Sequence, residues 1–169
     1  MAAVLVLAAC THEPELASGH IVVRDAQGAL TCQLSATSYG FYRKPSGPRI
    51  RVSGGSVDAG EVRIEGQRLL VGGRLRAAIE RAPDRVALLD PARAPVGQLV
   101  ARSGQTWVYD PGGTPLGAAR TDGDRVVLTD RDGNAKGYVS GLPQSAAAAF
   151  LLGGDLTDLE RQVMAIGLR

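Results

Sequence analysis

The chain has 169 residues, of which 44% are hydrophobic, 21% are charged and only 4% are aromatic. This length is enough for an ordinary domain with a substantial core, and the high apolar share excludes an intrinsically disordered chain. Nineteen basic residues stand against seventeen acidic residues, and the formal net charge of +2 provides no strong basic field for nucleic-acid binding. Two cysteines on their own are too few for a disulfide-rich scaffold or a four-ligand zinc site.

The first ten residues, MAAVLVLAAC, form an apolar segment with no charge before Glu13. As a helix, this run spans about 13 Å, less than half of a bilayer core of roughly 30 Å, so it is too short for a transmembrane anchor. The segment ends in Leu7-Ala8-Ala9-Cys10, which resembles the lipobox of bacterial lipoproteins.

This resemblance implies that residues 1–9 are a signal peptide and that Cys10 is the lipidated first residue of the mature protein, with palmitate among its acyl chains. Thr11 follows Cys10, whereas an Asp at this place would favour retention in the inner membrane. The implied location is therefore the outer membrane, with the mature part facing the periplasm or the cell surface. Residues 10–19 are predicted to be a polar tether. A buried N-terminal strand is the alternative interpretation of the apolar run.

Cys32 lies in the alternating segment Leu30–Leu34, which is typical of a strand. We expect its thiol to be buried as a small apolar group. A disulfide between Cys10 and Cys32 is the alternative if Cys10 carries no lipid. The two histidines, His12 and His20, both lie beside the tether, so the sequence offers no convincing Ser-His-Asp or Cys-His arrangement for nucleophilic catalysis.

A twenty-residue repeat occupies residues 85–100, 105–120 and 125–140. Each copy has an apolar, β-rich run, then an aspartate, then a glycine. The aligned residues, each twenty positions apart, are Asp90, Asp110, Asp130, Gly97, Gly117 and Gly137. The residues after each aspartate favour a type I turn, which a glycine at positive φ closes in the second and third copies. Each copy therefore predicts a β-hairpin in which these aspartates and glycines are structural turn residues.

A weaker copy, with Asp25, Gly28 and Cys32 at the corresponding positions, extends the pattern upstream. Residues 75–82 are predicted to be a strand, with two helical turns as the alternative. The predicted fold of residues 20–142 is all-β: an antiparallel meander of about ten short strands built from hairpin repeats, arranged as a sandwich, a barrel or a curled sheet. A stacked β-solenoid is the alternative, but it would align the repeat aspartates in a ladder of like charges.

The period changes in the tail, residues 143–169. The alanine-rich stretch 144–152 contains strong helix formers and stops at Gly153-Gly154. Thr157 and Glu160 fit a capping box that begins a second helix. Three apolar residues share one face of this helix, namely Leu159, Val163 and Ile166. We expect a small helical cap on the sheet, and docking to a partner is the alternative role for these helices.

Few residues suggest catalysis or metal binding, and no nucleotide-binding or zinc-protease motif occurs in the sequence. The segment 130–134, Asp-Arg-Asp-Gly-Asn, faintly resembles a calcium-binding loop but lacks the spacing and the terminal Glu of an EF-hand. We therefore expect no catalytic residues, no cofactor and no metal. The two alternatives are a calcium-stabilised adhesion module and an enzyme that uses scattered Asp and Arg residues.

The segment 39–51 concentrates four positive charges and three of the seven aromatic residues of the chain. Its Pro and Gly residues predict a loop, where binding residues are frequent. Arginine pairs with phosphate or carboxylate through two hydrogen bonds, and aromatic rings stack on sugars or guanidinium groups. The candidate ligand or partner residues are Tyr39, Phe41, Tyr42, Arg43, Lys44, Arg49 and Arg51. A solvated hairpin tip, with its rings anchored in the core, is the alternative.

Together these features predict a lipid-anchored protein of the bacterial envelope with a non-catalytic structural or binding role, as a scaffold, an assembly accessory or an inhibitor-like partner. Its expected partners are the membrane, through acylated Cys10, and an envelope protein or an anionic glycan or lipid. No nucleic acid is expected as a partner.

Overall fold

The computed structural model describes residues 20–37, 40–44, 49–53, 56–153 and 156–169. Fourteen strands lie in this part of the chain, where the sequence predicted about ten. They are β1 His20–Asp25, β2 Leu30–Thr37, β3 Gly40–Lys44, β4 Arg49–Ser53, β5 Ser56–Asp58, β6 Val62–Glu65, β7 Arg68–Val71, β8 Arg74–Ala82, β9 Arg85–Leu89, β10 Pro95–Arg102, β11 Gln105–Tyr109, β12 Pro115–Asp122, β13 Arg125–Asp130 and β14 Ala135–Ser140.

The strands form one antiparallel meander in which each strand pairs with the strands before and after it in sequence. β1 also pairs with β14, with Val23 opposite Val139, so the sheet closes on itself. Closure gives every described strand two neighbours and leaves none of them with an open edge. The predicted all-β meander is confirmed, and the solenoid alternative is wrong because neighbouring strands run antiparallel throughout.

Side chains alternate between the inside and the outside of the closed sheet. Val62 and Ile64 on β6 are buried, while Arg63 between them lies on the outer face and is partly exposed. β11 repeats the pattern, with Val108 fully buried and Trp107 partly exposed. This period of two follows from strand geometry, and it directs one apolar row of each strand into a shared core.

Residues 75–82 belong to a strand, as predicted. They lie in β8, which pairs with β7 and β9. Ala77 and Ile79 are buried while Ala78 and Glu80 beside them are more exposed, so the segment follows a period of two rather than a helical period.

The tail after Ser140 contains two helices, α1 Gln144–Ala147 and α2 Asp158–Gly167, with a 3-10 turn at Ala148–Leu151. α1 and the 3-10 turn pack on β11 and β12, whereas α2 packs on β5 and β6, on the opposite side of the ring of strands. Side chains around the whole circumference of α2 are buried, including Glu160 and Gln162. A helix that covers one end of a sheet keeps one wet face. The tail therefore fills the interior of the sheet, where the sequence predicted a cap.

Small residues allow the tail to fit inside the sheet. The side chains of Ala146–Ala149 are all 0% exposed. A Cβ atom at Gly167 would lie 2.5 Å from Ile64 Cδ1, and one at Gly153 would lie 2.8 Å from Leu116 Cδ1. The alanine-rich composition of the tail, which the sequence presents only as helix-forming, therefore also sets how closely the helices approach the strands.

Candidate functional site

Four hairpin turns at one end of the closed sheet begin with an aspartate, and we call this end the aspartate end. The aspartates are Asp25, Asp90, Asp110 and Asp130. In each turn, the aspartate amide donates to the carbonyl four residues ahead, and the aspartate carbonyl accepts from the amide three residues ahead. The carboxylate oxygen Oδ1 also accepts from the amide four residues ahead, at 2.8–2.9 Å. This is the pattern of a type I turn with a bulge residue at positive φ.

The residue type at the positive-φ position differs among the repeats. Glycine supplies it in two copies, with φ of 81° at Gly113 and 88° at Gly133. Arg93 supplies it in the first copy, with φ of 69°, and its Nη2 donates to Glu80 Oε1 at 2.7 Å. Because a Cβ atom disfavours this region of backbone space, the turn at Asp90 is strained relative to the other two.

The three repeat glycines lie inside strands β10, β12 and β14 rather than in the turns themselves. Each is beside a β-bulge, where the pairing with the preceding strand shifts by one residue. A Cβ atom at Gly117 would collide with the carbonyl oxygen of Thr129, and one at Gly137 would collide with that of Arg24. Close approach of the neighbouring backbone, rather than turn conformation, therefore explains glycine at these two positions.

Gly97 and Cys32 occupy the equivalent bulge position in β10 and β2. A Cβ atom at Gly97 would lie 3.3 Å from the carbonyl oxygen of Tyr109, which is tight without being a collision. Cys32 follows a bulge at the pairing of β1 with β2 and is 5% exposed. The upstream hairpin therefore repeats the architecture of the later ones, and Cys32 lies on a strand, buried, as predicted.

The Asp130 carboxylate is used within its own turn. Oδ1 accepts from the amides of Asp132 and Asn134, both at 2.9 Å, and Oδ2 accepts from Asn134 Nδ2 at 3.1 Å. The Asn134 side chain, then its amide, hold the pKa of Asp130 below its usual value, and the nearby Lys136 ammonium adds a smaller effect. The segment that resembles a calcium loop therefore directs its first carboxylate toward turn closure.

A cavity of about 310 Å³ opens at the aspartate end, between the first turns of α2 and the strands β1, β2, β13 and β14. Apolar side chains from strands and tail form much of its wall, namely Val23, Cys32, Leu128, Phe150 and Leu151. Charged side chains border the same space, namely Arg24, Asp25, Lys136, Asp158 and Arg161. The cavity therefore combines an apolar wall with a charged border.

The N-terminal cap of α2 fixes one side of this cavity. Thr157 Oγ1 accepts from the amide of Glu160 at 3.2 Å, and Glu160 Oε2 accepts from the amide of Thr157 at 2.6 Å. Glu160 Oε1 also lies 3.3 Å from Arg76 Nε on β8, in an ion pair whose carboxylate side chain is 4% exposed. The predicted capping box is confirmed, and its ion pair ties the start of the helix to the sheet.

Arg161 closes the cavity from the tail side. Its Nε donates to the carbonyl oxygen of Leu152 at 2.6 Å, and its Nη1 donates to Asp158 Oδ1 at 2.9 Å. These contacts hold the guanidinium between the 3-10 turn and the first turn of α2. This side of the cavity is therefore preformed.

Gln162 borders the cavity and is only 3% exposed. No described residue donates a hydrogen bond to its Oε1 atom. A buried acceptor without a donor costs about 1–3 kcal/mol, and such atoms are uncommon in folded proteins. The Gln162 Oε1 atom is therefore an unsatisfied acceptor that is enclosed by the protein itself.

Segment 39–51 forms part of a β-hairpin, and its prediction as a loop is wrong for the described residues. Phe41, Tyr42, Arg43 and Lys44 lie in β3, Arg49 and Arg51 lie in β4, and Tyr39 lies outside the described residues. Strand alternation makes Arg49 and Arg51 exposed, with Ile50 buried between them. Both arginines therefore project from the outer face, separate from the cavity.

Other predicted features fall outside the described residues. Cys10, the signal segment 1–9 and the tether up to residue 19 are among them. His20, which the sequence placed beside the tether, begins β1 and is exposed.

Asp25, Cys32 and Gly137 border the cavity and were identified from the sequence only as positions of the repeat. The cavity itself was not predicted. Arg24, Lys136 and Gln162 come from β1, β14 and α2, which only the closed sheet brings together. One signal was present: Gln162 directly precedes the apolar run Val163–Ile166. Its significance depends on the tail being buried on all sides, which periodicity along one helix does not reveal.

No helix in the described ranges combines the length and the apolar character needed to span a bilayer. Within the same ranges, no group of three or more His, Cys, Asp or Glu side chains is arranged to hold a metal ion. In comparisons with known proteins, the chain matches no protein family, no curated protein and no solved structure.

Proposed function

We propose that this protein is a lipid-anchored component of the bacterial envelope with a non-catalytic binding role. Acylated Cys10 is the membrane anchor, and residues 10–19 are the tether that joins it to the closed sheet. The observation that carries the anchor is the sequence Leu7-Ala8-Ala9-Cys10, in which two small residues precede the cysteine. An outer-membrane location agrees with Thr11 as the next residue.

The direction in which the chain enters the sheet supports an outward-facing binding site. β1 begins at His20, at the end of the sheet opposite the aspartate end. The ten residues from 10 to 19 extend over at most about 36 Å, so they keep the His20 end near the bilayer. The aspartate end and its cavity then face away from the membrane, where ligands and partners have access.

The polar groups at the aspartate end support binding rather than catalysis. The carboxylates of Asp25, Asp90, Asp110 and Asp130 accept hydrogen bonds from amides of their own turns. These contacts give each carboxylate a structural role in closing its own turn. What remains for recognition is the cavity beside α2 and the outward-facing Arg49 and Arg51 on β4.

Metabolic labelling with a palmitate analogue tests the anchor. We expect the wild-type chain to incorporate the label and to sediment with the outer membrane, and Cys10→Ser to lose both properties. Cys32→Ser is the matched control, because this thiol is buried on β2 and the variant should keep the label. A wild-type chain that remains unlabelled would overturn the anchor and leave the binding role to be tested separately.

A further inference from the structure

We infer that one outer face of the closed sheet rests on the anionic phospholipid surface of the membrane that carries the anchor. We call it the Trp107 face and define it by six outward-facing residues of β9–β14, namely Arg85, Val100, Arg102, Trp107, Arg120 and Tyr138. This inference rests on the lipid anchor proposed above and adds the surface that orients the sheet at the bilayer. Its arguments are the amphipathic side chains of the face, its charge and the place where the tether joins the sheet.

The centre of the Trp107 face is a row of side chains that crosses three strands. Val100 on β10 pairs with Arg85 on one side and with Trp107 on the other, so the three side chains are neighbours. Trp107 is the only tryptophan of the chain, and it is partly exposed. Its indole joins an apolar body to a polar N–H, which suits the boundary between lipid headgroups and acyl chains.

The hairpin repeat does not require an aromatic ring at position 107. The equivalent positions of the first and third copies carry Ala87 and Val127. All three copies nevertheless form the same hairpin with a bulge at the same place. The tryptophan is therefore additional to what the repeat needs for folding, and its exposed surface is available for a contact outside the chain.

The charge of the Trp107 face comes from arginines that the protein does not neutralise. Arg85, Arg102 and Arg120 are exposed, and none of them forms an ion pair with another described residue. Residues 85–140 contain no glutamate, and the nearby Asp84 and Asp124 lie in the turns between strands rather than on the face. Guanidinium groups pair with phosphate through two hydrogen bonds. The face is therefore complementary to anionic phospholipid headgroups.

Arg125 and Tyr138 extend this surface toward β1. The guanidinium carbon of Arg125 lies 4.4 Å from the centroid of the Tyr138 ring. Arg125 Nη2 also lies 3.9 Å from Oδ2 of Asp122, at the end of β12. Asp122 is therefore already paired within the protein, and it does not offset the charges of Arg102 and Arg120.

The tether joins the sheet close to the Trp107 face. Arg85 and Arg102 lie at the end of the sheet where β1 begins with His20. β11, which carries Trp107, is four strands from β1 in the closed sheet, about 19 Å at the usual strand spacing. The tether reaches at most about 36 Å, so the anchor can hold this face against the bilayer. Because the anchor keeps the face at a high local concentration of headgroups, weak contacts suffice to select an orientation.

The full chain carrying Cys10→Ser tests the face without the acyl anchor. We would measure its sedimentation with vesicles of phosphatidylethanolamine and phosphatidylglycerol, and with vesicles of phosphatidylcholine alone. We expect stronger binding to the anionic vesicles, and this preference should weaken as the salt concentration rises. The apolar residues 1–9 are present in both arms, so the difference between the two vesicle types reports the charge of the folded part.

Brominated phospholipid in the anionic vesicles identifies the face that makes the contact. Bromine quenches tryptophan emission only at close range, and Trp107 is the only tryptophan. We expect the emission to be quenched on binding and to recover at high salt. Binding without quenching would place the contact on another face and overturn the inference.

Two double variants separate the face from the general charge of the chain. Arg102→Gln with Arg120→Gln should weaken binding to anionic vesicles about tenfold or more, since each arginine near such a surface changes the affinity about fivefold. Arg68→Gln with Arg74→Gln is the matched control, because it removes two exposed charges from β7 and β8, outside the Trp107 face. We expect the control to change the affinity less than about twofold.

Equal binding to both vesicle types would overturn the inference, and so would equal weakening by the two double variants. Binding to a soluble anionic glycan without a preference for anionic vesicles would assign the arginines to another partner and overturn it as well. If Arg102→Gln with Arg120→Gln fails to fold, the salt dependence and the quenching of Trp107 in the Cys10→Ser chain still decide the outcome. None of these measurements depends on lipidation, which palmitate labelling tests separately.

Discussion

The hairpin repeats and the tail contribute to one core in opposite ways. The repeats use the same turn three times, and each turn is closed by hydrogen bonds between residues at most four positions apart. The tail occurs once and packs against strands on opposite sides of the ring. The sheet is thus encoded locally and with redundancy, whereas its interior is filled by one segment with no second copy.

This difference predicts where the fold is vulnerable. A change in one repeat turn disturbs one hairpin, while the remaining turns keep their geometry. A change in α2 affects its contacts with β5 and β6 and its packing on the 3-10 turn at once. We therefore expect stability to depend more on the tail than on any single turn.

Met164→Ala in the tail should cause the largest loss of stability. The Met164 side chain is 0% exposed in the middle of α2, and truncating it creates a cavity that costs about 2–5 kcal/mol of unfolding free energy. Leu75→Ala is the control, since Leu75 is 37% exposed on β8 and its truncation should cost less than about 1 kcal/mol. Urea titration followed by circular dichroism measures both. Equal costs would show that the tail is peripheral.

Glu160→Gln probes the link between tail and sheet. The substitution keeps an acceptor for the Thr157 amide but removes the charge opposite Arg76. We expect a loss of about 1–2 kcal/mol, because hydrogen bonds to charged groups exceed neutral ones by this order. Glu65→Gln is the matched control in the exposed ion pair with Arg63, where a loss below about 0.5 kcal/mol is expected. Thermal and chemical denaturation measure the loss of unfolding free energy in both variants. A larger loss in Glu65→Gln than in Glu160→Gln would contradict this expectation.

Asp130→Asn should have the smallest effect, and its effect should depend on pH. Hydrogen bonds from Asn134 lower the pKa of Asp130 in the folded protein. The stabilisation is therefore present above the unfolded pKa and is lost as the pH falls through the lower folded pKa. We expect wild type to melt slightly above Asp130→Asn at neutral pH, and the two curves to converge in acid. A melting difference that persists at the lowest pH would contradict the role assigned to this charge.

Much of the sheet could be predicted because its determinants are local. The spacing of Asp90, Asp110 and Asp130 identifies the hairpins, and a single weaker copy at Asp25 has the same turn. The capping box at Thr157 could also be predicted, since its partners are three residues apart. In each case the residues that form the contact lie within one turn of the chain.

The remaining features depend on contacts between distant parts of the chain. Pairing of β1 with β14 places residues more than a hundred positions apart side by side, and no local pattern encodes such closure. The enclosure of α2 follows from that closure, and so does the cavity between Gln162 and Lys136. Gly137 is an example. The repeat identifies this position, but glycine is required there because the carbonyl of Arg24 on the neighbouring strand β1 leaves no room for a Cβ atom.

The position of the tail after β14 has a consequence for biosynthesis. All fourteen strands leave the ribosome before α2, which supplies much of the interior. Until α2 is available, inward-facing residues such as Ile64 lack the helix that packs against them in the finished protein. The apolar faces of the strands are therefore exposed to self-association until α2 has been synthesised. The core is completed late, when α2 packs against the strands.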